Sequence, residues 1–394
     1  MKPLRSQFLL DPDIAFLNHG SFGACPAAVL QAQQQWQLQM ERNPVEFLSR
    51  RSAQLLLQSR QALAQYLGAR SEDLVYVSNA TTGVNVVAAS LKLQSGDEVL
   101  TTDHEYGACD LTWQRVCSAQ GAHYRRVKIE LPFDAGRFCE TLLAAITPRT
   151  RVLFLSHLSS ATALIFPLKE LLREARRLGI LTLVDGAHAP GQIPLALDEL
   201  GADFYTGNCH KWMCAPKGAA FLHVRPEHHD RVHAPITSWG YGDEGSVAEA
   251  PRQAQRRYTG HSVLERRLQW QGTRDIAAWL SVPAALEFLR EHDAPALARA
   301  SHARAVALMH AWCAETGLAP IGADADFAQM VPLPLAPGLE TGLQQHLFEA
   351  HRIEVPVTFH QGRHFVRVSV QGYNSDEELD RLLKALRAWQ APAP

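Results

Sequence analysis

The sequence lacks what marks a nucleic-acid, membrane or disulfide-built protein. Its 38 Lys and Arg against 40 Asp and Glu leave a formal net charge of −2. That is too little of either sign for a phosphate backbone or a charged membrane to be the partner. No apolar run reaches the length that crosses a bilayer. The opening residues, Met1-Lys2-Pro3-Leu4-Arg5-Ser6, lack the apolar core of a secretory signal, so a cytoplasmic location is expected. The seven cysteines are odd in number and scattered. No CxxC pair or Cys/His cluster stands at metal spacing, which predicts reduced thiols and no metal. There is no internal repeat and no low-complexity segment. No GxGxxG or GxxxxGK[ST] pattern lies at a strand–helix junction, which disfavours nucleotide-binding enzymes of those kinds.

What is present is a globular composition, 46% hydrophobic and 20% charged over 394 residues, enough chain for two packed lobes. Residues 1–30 read as an arm, followed by helices at 27–42 and 52–67. Strands are then expected at 74–77, 98–101, 123–128, 151–156, 180–184, 203–206 and 219–224. Helices fall between them near 80–92, 107–120, 136–146 and 167–178. This alternation predicts βαβ units, hence an α/β fold with a mostly parallel central sheet flanked by helices. Residues 31–275 form the expected large domain, although 235–274 show no clear period. Residues 276–394 read as a smaller α+β domain. It has helices at 276–291, 294–316, 339–351 and 376–389, and strands near 327–333, 353–357 and 364–370. Ser375 and Glu378 have capping-box spacing at the start of its last helix.

Two residues carry the chemistry. Asp185 closes the β-branched run Ile180-Leu181-Thr182-Leu183-Val184, and Lys211 sits in Gly207-Asn208-Cys209-His210-Lys211-Trp212 after the next strand. A carboxylate at a strand end and a lysine beyond the neighbouring one suit pyridoxal 5′-phosphate. The lysine forms a Schiff base with its aldehyde, and the carboxylate pairs with its protonated ring nitrogen. Asn79-Ala80-Thr81-Thr82 opens a helix after a strand. Its N–H groups and hydroxyls suit a phosphate, although the same residues also make a plain cap. Tyr106, in Asp103-His104-Glu105-Tyr106, is the preferred ring to stack on the cofactor, with His104 second. His188 is placed to bond the cofactor's phenolic oxygen or to move protons. His210 suits a phosphate, and Thr273 in Gly272-Thr273-Arg274 could reach one across a dimer interface. On the strand Phe365-Val366-Arg367-Val368-Ser369, alternation puts Arg367 with Phe365 and Ser369. Arg367 fits a substrate α-carboxylate held bidentately or a structural ion pair equally well.

Together the segments LNHGSFG (17–23), RNPVEFL (42–48), NATTGVN (79–85), DHEYGA (103–108), VDGAHAPGQ (184–192), GNCHKW (207–212), QGTRD (271–275) and VRVSVQGYN (366–374) resemble the fold-type I pyridoxal-phosphate enzymes. The likeness is to the class V aminotransferase group, in its isopenicillin N epimerase-like branch. The resemblance covers nearly the whole chain. It implies a homodimer with a shared active site and a small-molecule amino-acid substrate. It makes Lys211 the Schiff-base lysine, Asp185 the ring-nitrogen partner and Tyr106 the stacking group. Ala80, Thr81 and His210 would hold the phosphate with Thr273 of a second copy, and Arg367 the substrate carboxylate. Asn18 and His19 would lie near the substrate. Two features depart from the pattern. Ser159-Ser160-Ala161-Thr162-Ala163 stands where relatives often carry Pro-Thr-Gly. Residues 331–367 hold no cysteine, which disfavours the persulfide route of the related cysteine desulfurases. The expected reaction is epimerisation at Cα. C–S β-elimination from a cysteine conjugate or sulfoxide is the alternative, then transamination. A non-catalytic binding or regulatory dimer is disfavoured, because lysine, aspartate, phosphate loop and arginine are all retained.

Overall fold

The computed structural model describes residues 4–241 and 256–390. Residues 1–3 of the expected arm, 242–255 of the aperiodic stretch and 391–394 lie outside the described residues. The strands of the first part are β1 (Ala15–Phe16), β2 (Leu74–Val77), β3 (Glu98–Thr102), β4 (His123–Val127), β5 (Thr150–Ser156), β6 (Leu181–Asp185), β7 (Phe204–Asn208) and β8 (Ala220–Val224). Strands β2 to β8 form one sheet in the order β2-β8-β7-β6-β5-β3-β4. The pairings from β7 to β4 are parallel. Strand β8 is antiparallel to both of its neighbours. The two reversals return β2 to the direction of β7. The carboxyl ends of β2, β7, β6, β5 and β3 therefore share one edge, where open α/β sheets bind ligands.

The sheet is covered on both faces, which is why its strands are nearly continuous apolar runs. Alternate residues enter opposite cores. Leu74, Tyr76, Leu153, Leu155, Val184 and Tyr205 pack on one side. Val75, Val77, Phe154, Leu183 and Phe204 pack on the other. The helix Ala80–Ser90 starts where Asn79 accepts the Thr82 N–H at 2.8 Å. It lies tight against β7 because residue 83 is glycine; a Cβ there would stand 2.1 Å from the Thr206 hydroxyl. This close approach brings the helix start to the sheet edge.

The second part contributes β9 (Met330–Pro334), β10 (Ile353–Glu354), β11 (Val357–His360) and β12 (Arg363–Ser369). An antiparallel sheet runs β11-β12-β9. The single strand expected at 353–357 is broken at Pro356, which has no N–H to give a ladder. Its two halves are β10 and β11. The helix expected at 276–291 divides into Ala277–Leu280 and Val282–Glu291, with proline in the first turn of the second. The helix expected from 339 starts later, at Leu343, because Gly342 has a left-handed φ of 79°. Periodicity did not reveal that β1 pairs in parallel with β10, which stitches the arm to the second part. Among the described residues no helix is long and apolar enough to cross a membrane. All seven cysteines are free.

Candidate active site

Strand β6 ends at Asp185, whose register partner is Ser156 at the end of β5. Strand β7 ends at Asn208, and Lys211 stands in the turn beyond. The Lys211 amine lies 3.1 Å from His188 Nε2. Among the described residues no carboxylate comes within ion-pair distance of it. Burial, and then the charge of Arg367, push its pKa down to about 7, against the opposing pull of Asp185. Near neutral pH much of this amine is therefore uncharged. His188 is held well below its ordinary pKa by burial and then by Lys211. Its ring is neutral, and its buried Nδ1 has no partner among the described residues.

Asp185 is 4% exposed. One carboxylate oxygen accepts the Ala187 N–H at 2.9 Å, and the other receives only the Cys109 thiol at 3.5 Å. Burial raises its pKa. It is a buried acid with one oxygen barely engaged. Arg367 complements it. From β12 its guanidinium reaches the Ser160 carbonyl, the Ser160 hydroxyl at 3.3 Å and the Ser21 hydroxyl at 3.1 Å. Its buried Nε has no partner, and no carboxylate lies within ion-pair distance among the described residues. Burial lowers its pKa to about 10. A desolvated guanidinium without a carboxylate is unfavourable and demands an anion.

The arm touches the site from two directions. Ser21 donates to Asn18 Oδ1 at 2.6 Å while accepting from Arg367, and Asn18 Nδ2 donates to Glu354 at 3.3 Å. Asn18 thus stands behind the serine that meets the arginine. The His19 ring is fully buried, with Nε2 3.0 Å from the Lys211 carbonyl. Facing a carbonyl, Nε2 must carry the proton. Nδ1 is then the acceptor, for the Tyr373 hydroxyl at 3.0 Å and the Ala24 N–H at 3.3 Å. His19 therefore grips the main chain of the lysine turn. Gly23 makes this docking possible: at φ 71° and ψ 162°, a Cβ would stand 2.1 Å from the His210 carbonyl and 2.9 Å from Lys211 Cα. Gly23→Ala is expected to destabilise the protein by roughly 2–4 kcal/mol, from strain plus overpacking. Denaturant unfolding measures this, and an unshifted midpoint would contradict it.

At the start of the helix Ala80–Ser90, the Ala80 N–H is engaged by Asn208 at 2.8 Å and the Thr82 N–H by Asn79. Thr81 remains as the first-turn donor that neither takes. His210 donates from Nδ1 to the Ala219 carbonyl at 3.0 Å, and burial lowers its pKa to about 4. Tyr106 is 47% exposed at the head of the helix Gly107–Gln120, near enough to bear electrostatically on Arg367. Thr273 is exposed. The contacts that place its neighbours run from Arg274 to Gln269 and Trp279 and from Asp275 to Gln37, outside the Lys211 cluster. His104, the second choice for a stacking ring, is turned away. Its ring is buried against His360 at 3.8 Å and bonded to Thr162 at 3.0 Å.

Sequence reasoning missed Glu105 and Cys109. Glu105 is buried behind Asp185, accepting from the Ser156 N–H and hydroxyl at 2.8 and 2.6 Å and from Thr102 at 2.6 Å. Burial raises its pKa to about 8, so it is mostly neutral at pH 7. Their four-residue spacing across a helix start was the available clue. Volume is a poor guide here: a wide apolar cavity of about 1050 Å³, lined by Tyr66, Leu286 and Pro295 among others, includes none of Lys211, Asp185 and Arg367.

Comparison with known proteins shows the family of the chain. Residues 18–382 match the family described as Aminotransferase class-V. The chain is 37% identical to isopenicillin N epimerase of Streptomyces clavuligerus, covering 98% of this chain and 97% of that protein. It is 30% identical to a probable chloroplastic L-cysteine desulfhydrase of Arabidopsis thaliana, covering 95% and 83%. Its fold is similar to that of the apo cysteine desulfurase of Thermococcus onnurineus NA1, with a TM-score of 0.81 at 21% identity and 98% of each chain covered.

Proposed function

Because this chain belongs to the aminotransferase class-V family, we propose that it is a pyridoxal 5′-phosphate enzyme that inverts the Cα of an amino-acid substrate. The observation that carries this reading is the pairing, in one site, of a largely uncharged Lys211 amine with a buried Arg367 that no carboxylate neutralises. The epimerase of Streptomyces clavuligerus, matched over nearly its whole length, supports the choice of inversion.

The residues fit the cofactor. Asp185 has an oxygen met only by the Cys109 thiol, which a ring N–H cation could take, and Lys211 offers a largely uncharged amine to an aldehyde. Thr81 and His210 would hold the phosphate, with Ala80 and Thr82 shaping the turn and Thr273 supplied by a second copy. Tyr106 would cover the ring, and His188 would stand at the phenolic oxygen beside Lys211. When bound, the cofactor withdraws electrons from Cα so that its proton becomes removable. Arg367 fixes the substrate carboxylate in place of its contacts to Ser160 and Ser21, which orients Cα towards Lys211. The Lys211 amine takes the α-proton, and the neutral His188 beside it keeps that amine free of a competing charge. Asn18 and His19 act at one remove, through Ser21 and through the Lys211 main chain. Inversion needs a second acid. His104 is held by Thr162 and His360, which leaves Tyr106 or a residue of the arm.

The exposed apolar side chains Phe22, Leu111 and Trp239 suit cover by a second copy in a homodimer. The free cysteines suit a reducing compartment such as the cytoplasm. A second reading, C–S β-elimination, draws on the desulfhydrase relative and needs no second acid, since Lys211 can serve throughout. Proton NMR of the loaded enzyme with an amino-acid panel in D2O, including cysteine conjugates and their sulfoxides, separates the two. Loss of the α-proton signal with loss of optical purity is expected. Pyruvate would establish the lyase instead. No exchange with any member would overturn both.

A further inference from the structure

Close to this site, but not part of it, three ligand-type groups from both lobes face one another. Asp103 and His104 follow β3, and His360 ends β11 at the tip of the β11–β12 hairpin. The two histidines are 1% and 6% exposed, and the Nε2 atom of each is buried without a hydrogen-bond partner among the described residues. The Asp103 carboxylate straddles them, with Oδ1 3.9 Å from His104 Nε2 and Oδ2 3.9 Å from His360 Nε2. The three ligand atoms lie within 4.8 Å of one another.

At 3.9 Å neither ring can hydrogen-bond the carboxylate. Two imidazole nitrogens that make no hydrogen bond and an anionic oxygen, gathered around one point, form a donor set for a cation. The surroundings hold the three in that posture. The Thr162 hydroxyl bonds His104 Nδ1 at 3.0 Å, which leaves Nε2 as the nitrogen that points inward. The Ile129 N–H at 3.0 Å and the Gln361 amide at 2.8 Å fix the two Asp103 oxygens. The Ile129 carbonyl accepts from Gln361 and also faces the His104 ring. A hydrogen bond to the other ring nitrogen orients a ligating imidazole, and here the Thr162 hydroxyl makes that bond.

We propose that Asp103, His104 and His360 bind a divalent transition-metal ion of the zinc class, which clamps the small-lobe hairpin to the loop after β3. Two imidazoles and a carboxylate suit zinc. Bond lengths of about 2.0–2.2 Å put tetrahedral ligand atoms roughly 3.3–3.5 Å apart. The ligand atoms, within 4.8 Å of one another, draw in on binding while the two rings, with centroids 3.8 Å apart, turn away from each other to meet the ion. Tyr106 lies two residues beyond His104, and Arg367 lies on the strand paired with that of His360. The ion therefore sets how these two side chains stand to one another. The proposal does not depend on which reaction the enzyme runs.

A second group, Asp73, Asp198 and His223, provides the control. There Arg70 already bonds Asp73 through two nitrogens, at 2.9 and 2.7 Å. The test is a titration of chelator-stripped, cofactor-loaded enzyme with zinc alone, in competition with a chromophoric chelator. One ion per chain is expected, retained in Asp198→Asn. Thr162→Val should weaken it by about 10- to 100-fold and His360→Gln by more. Zinc held as tightly by His360→Gln as by the parent, or no stoichiometric ion in the parent, overturns the proposal. Thr162→Val, which removes only a hydroxyl, keeps the test decisive if His360→Gln misfolds.

Discussion

Lys211→Ala is expected to lower turnover by at least about 10²–10⁴-fold, the range for loss of a positioned proton-transfer group alone. Steady-state rates on the substrate found by the D2O panel measure it, and a variant that keeps the parent's rate would end the mechanism. Lys211→Met should also make the cofactor-free protein more stable, an outcome a merely structural lysine would not give. The folded-state pKa of about 7 lies below the ordinary 10.5. Between these values the unfolded chain holds a proton that the folded chain has released, so stability rises with pH from about 7 to about 10.5. Below pH 7 both forms are protonated and the full penalty of burying the ammonium persists. The apolar side chain removes that penalty, on the order of 4–5 kcal/mol near neutral pH. The cofactor-free variant should therefore melt higher at pH 7 and lose this pH slope. A lower melting temperature than the parent's would show that the amine is satisfied in the folded chain.

How much of this was legible follows from the range of each interaction. Lys211 and Asp185 could be read because Asp185 closes a β-branched run and Lys211 follows the next short apolar run, where local pattern fixes which sheet edge the residue reaches. The parallel strands were legible for the same reason, and the helix start at Asn79 declared itself by its cap. What the pattern could not carry is contact between distant segments. His19 looked like a substrate residue, yet it lies beneath the Lys211 main chain, 192 positions away. Ala80 looked like a phosphate donor, yet its N–H meets Asn208 across 128 positions. His104 was read as a stacking ring, and the β11–β12 hairpin places His360 on it. Glu105 was passed over because its neighbour Tyr106 drew the functional reading. Only the closeness of β5 and β6 shows that its carboxyl lies behind Asp185.

Arg367 was the residue on which the sequence was evenly divided, and the fold offers a way to separate the two roles. If Arg367 were half of a buried ion pair, Arg367→Met would leave an unpaired carboxylate and cost about 3–5 kcal/mol of stability. Its partners among the described residues are the Ser160 carbonyl, two hydroxyls and no carboxylate. The methionine variant is therefore expected to be as stable as the parent without substrate, or more so, because a desolvated charge has been replaced by an apolar side chain. Its catalytic loss should be large. Removing one partner of a buried charge-assisted pair costs roughly 2–5 kcal/mol. In kcat/KM that is about 30- to 3,000-fold, with kcat falling as well as KM rising if the carboxylate contact also orients Cα. Arg367→Lys should recover only part of this, since an ammonium keeps the charge but not the planar fork. Denaturant unfolding of the unloaded proteins beside steady-state kinetics distinguishes the outcomes. A variant that loses several kcal/mol of stability while kcat/KM falls only in proportion to folded protein would make Arg367 a structural residue. The site would then have no anchor for the amino-acid carboxylate.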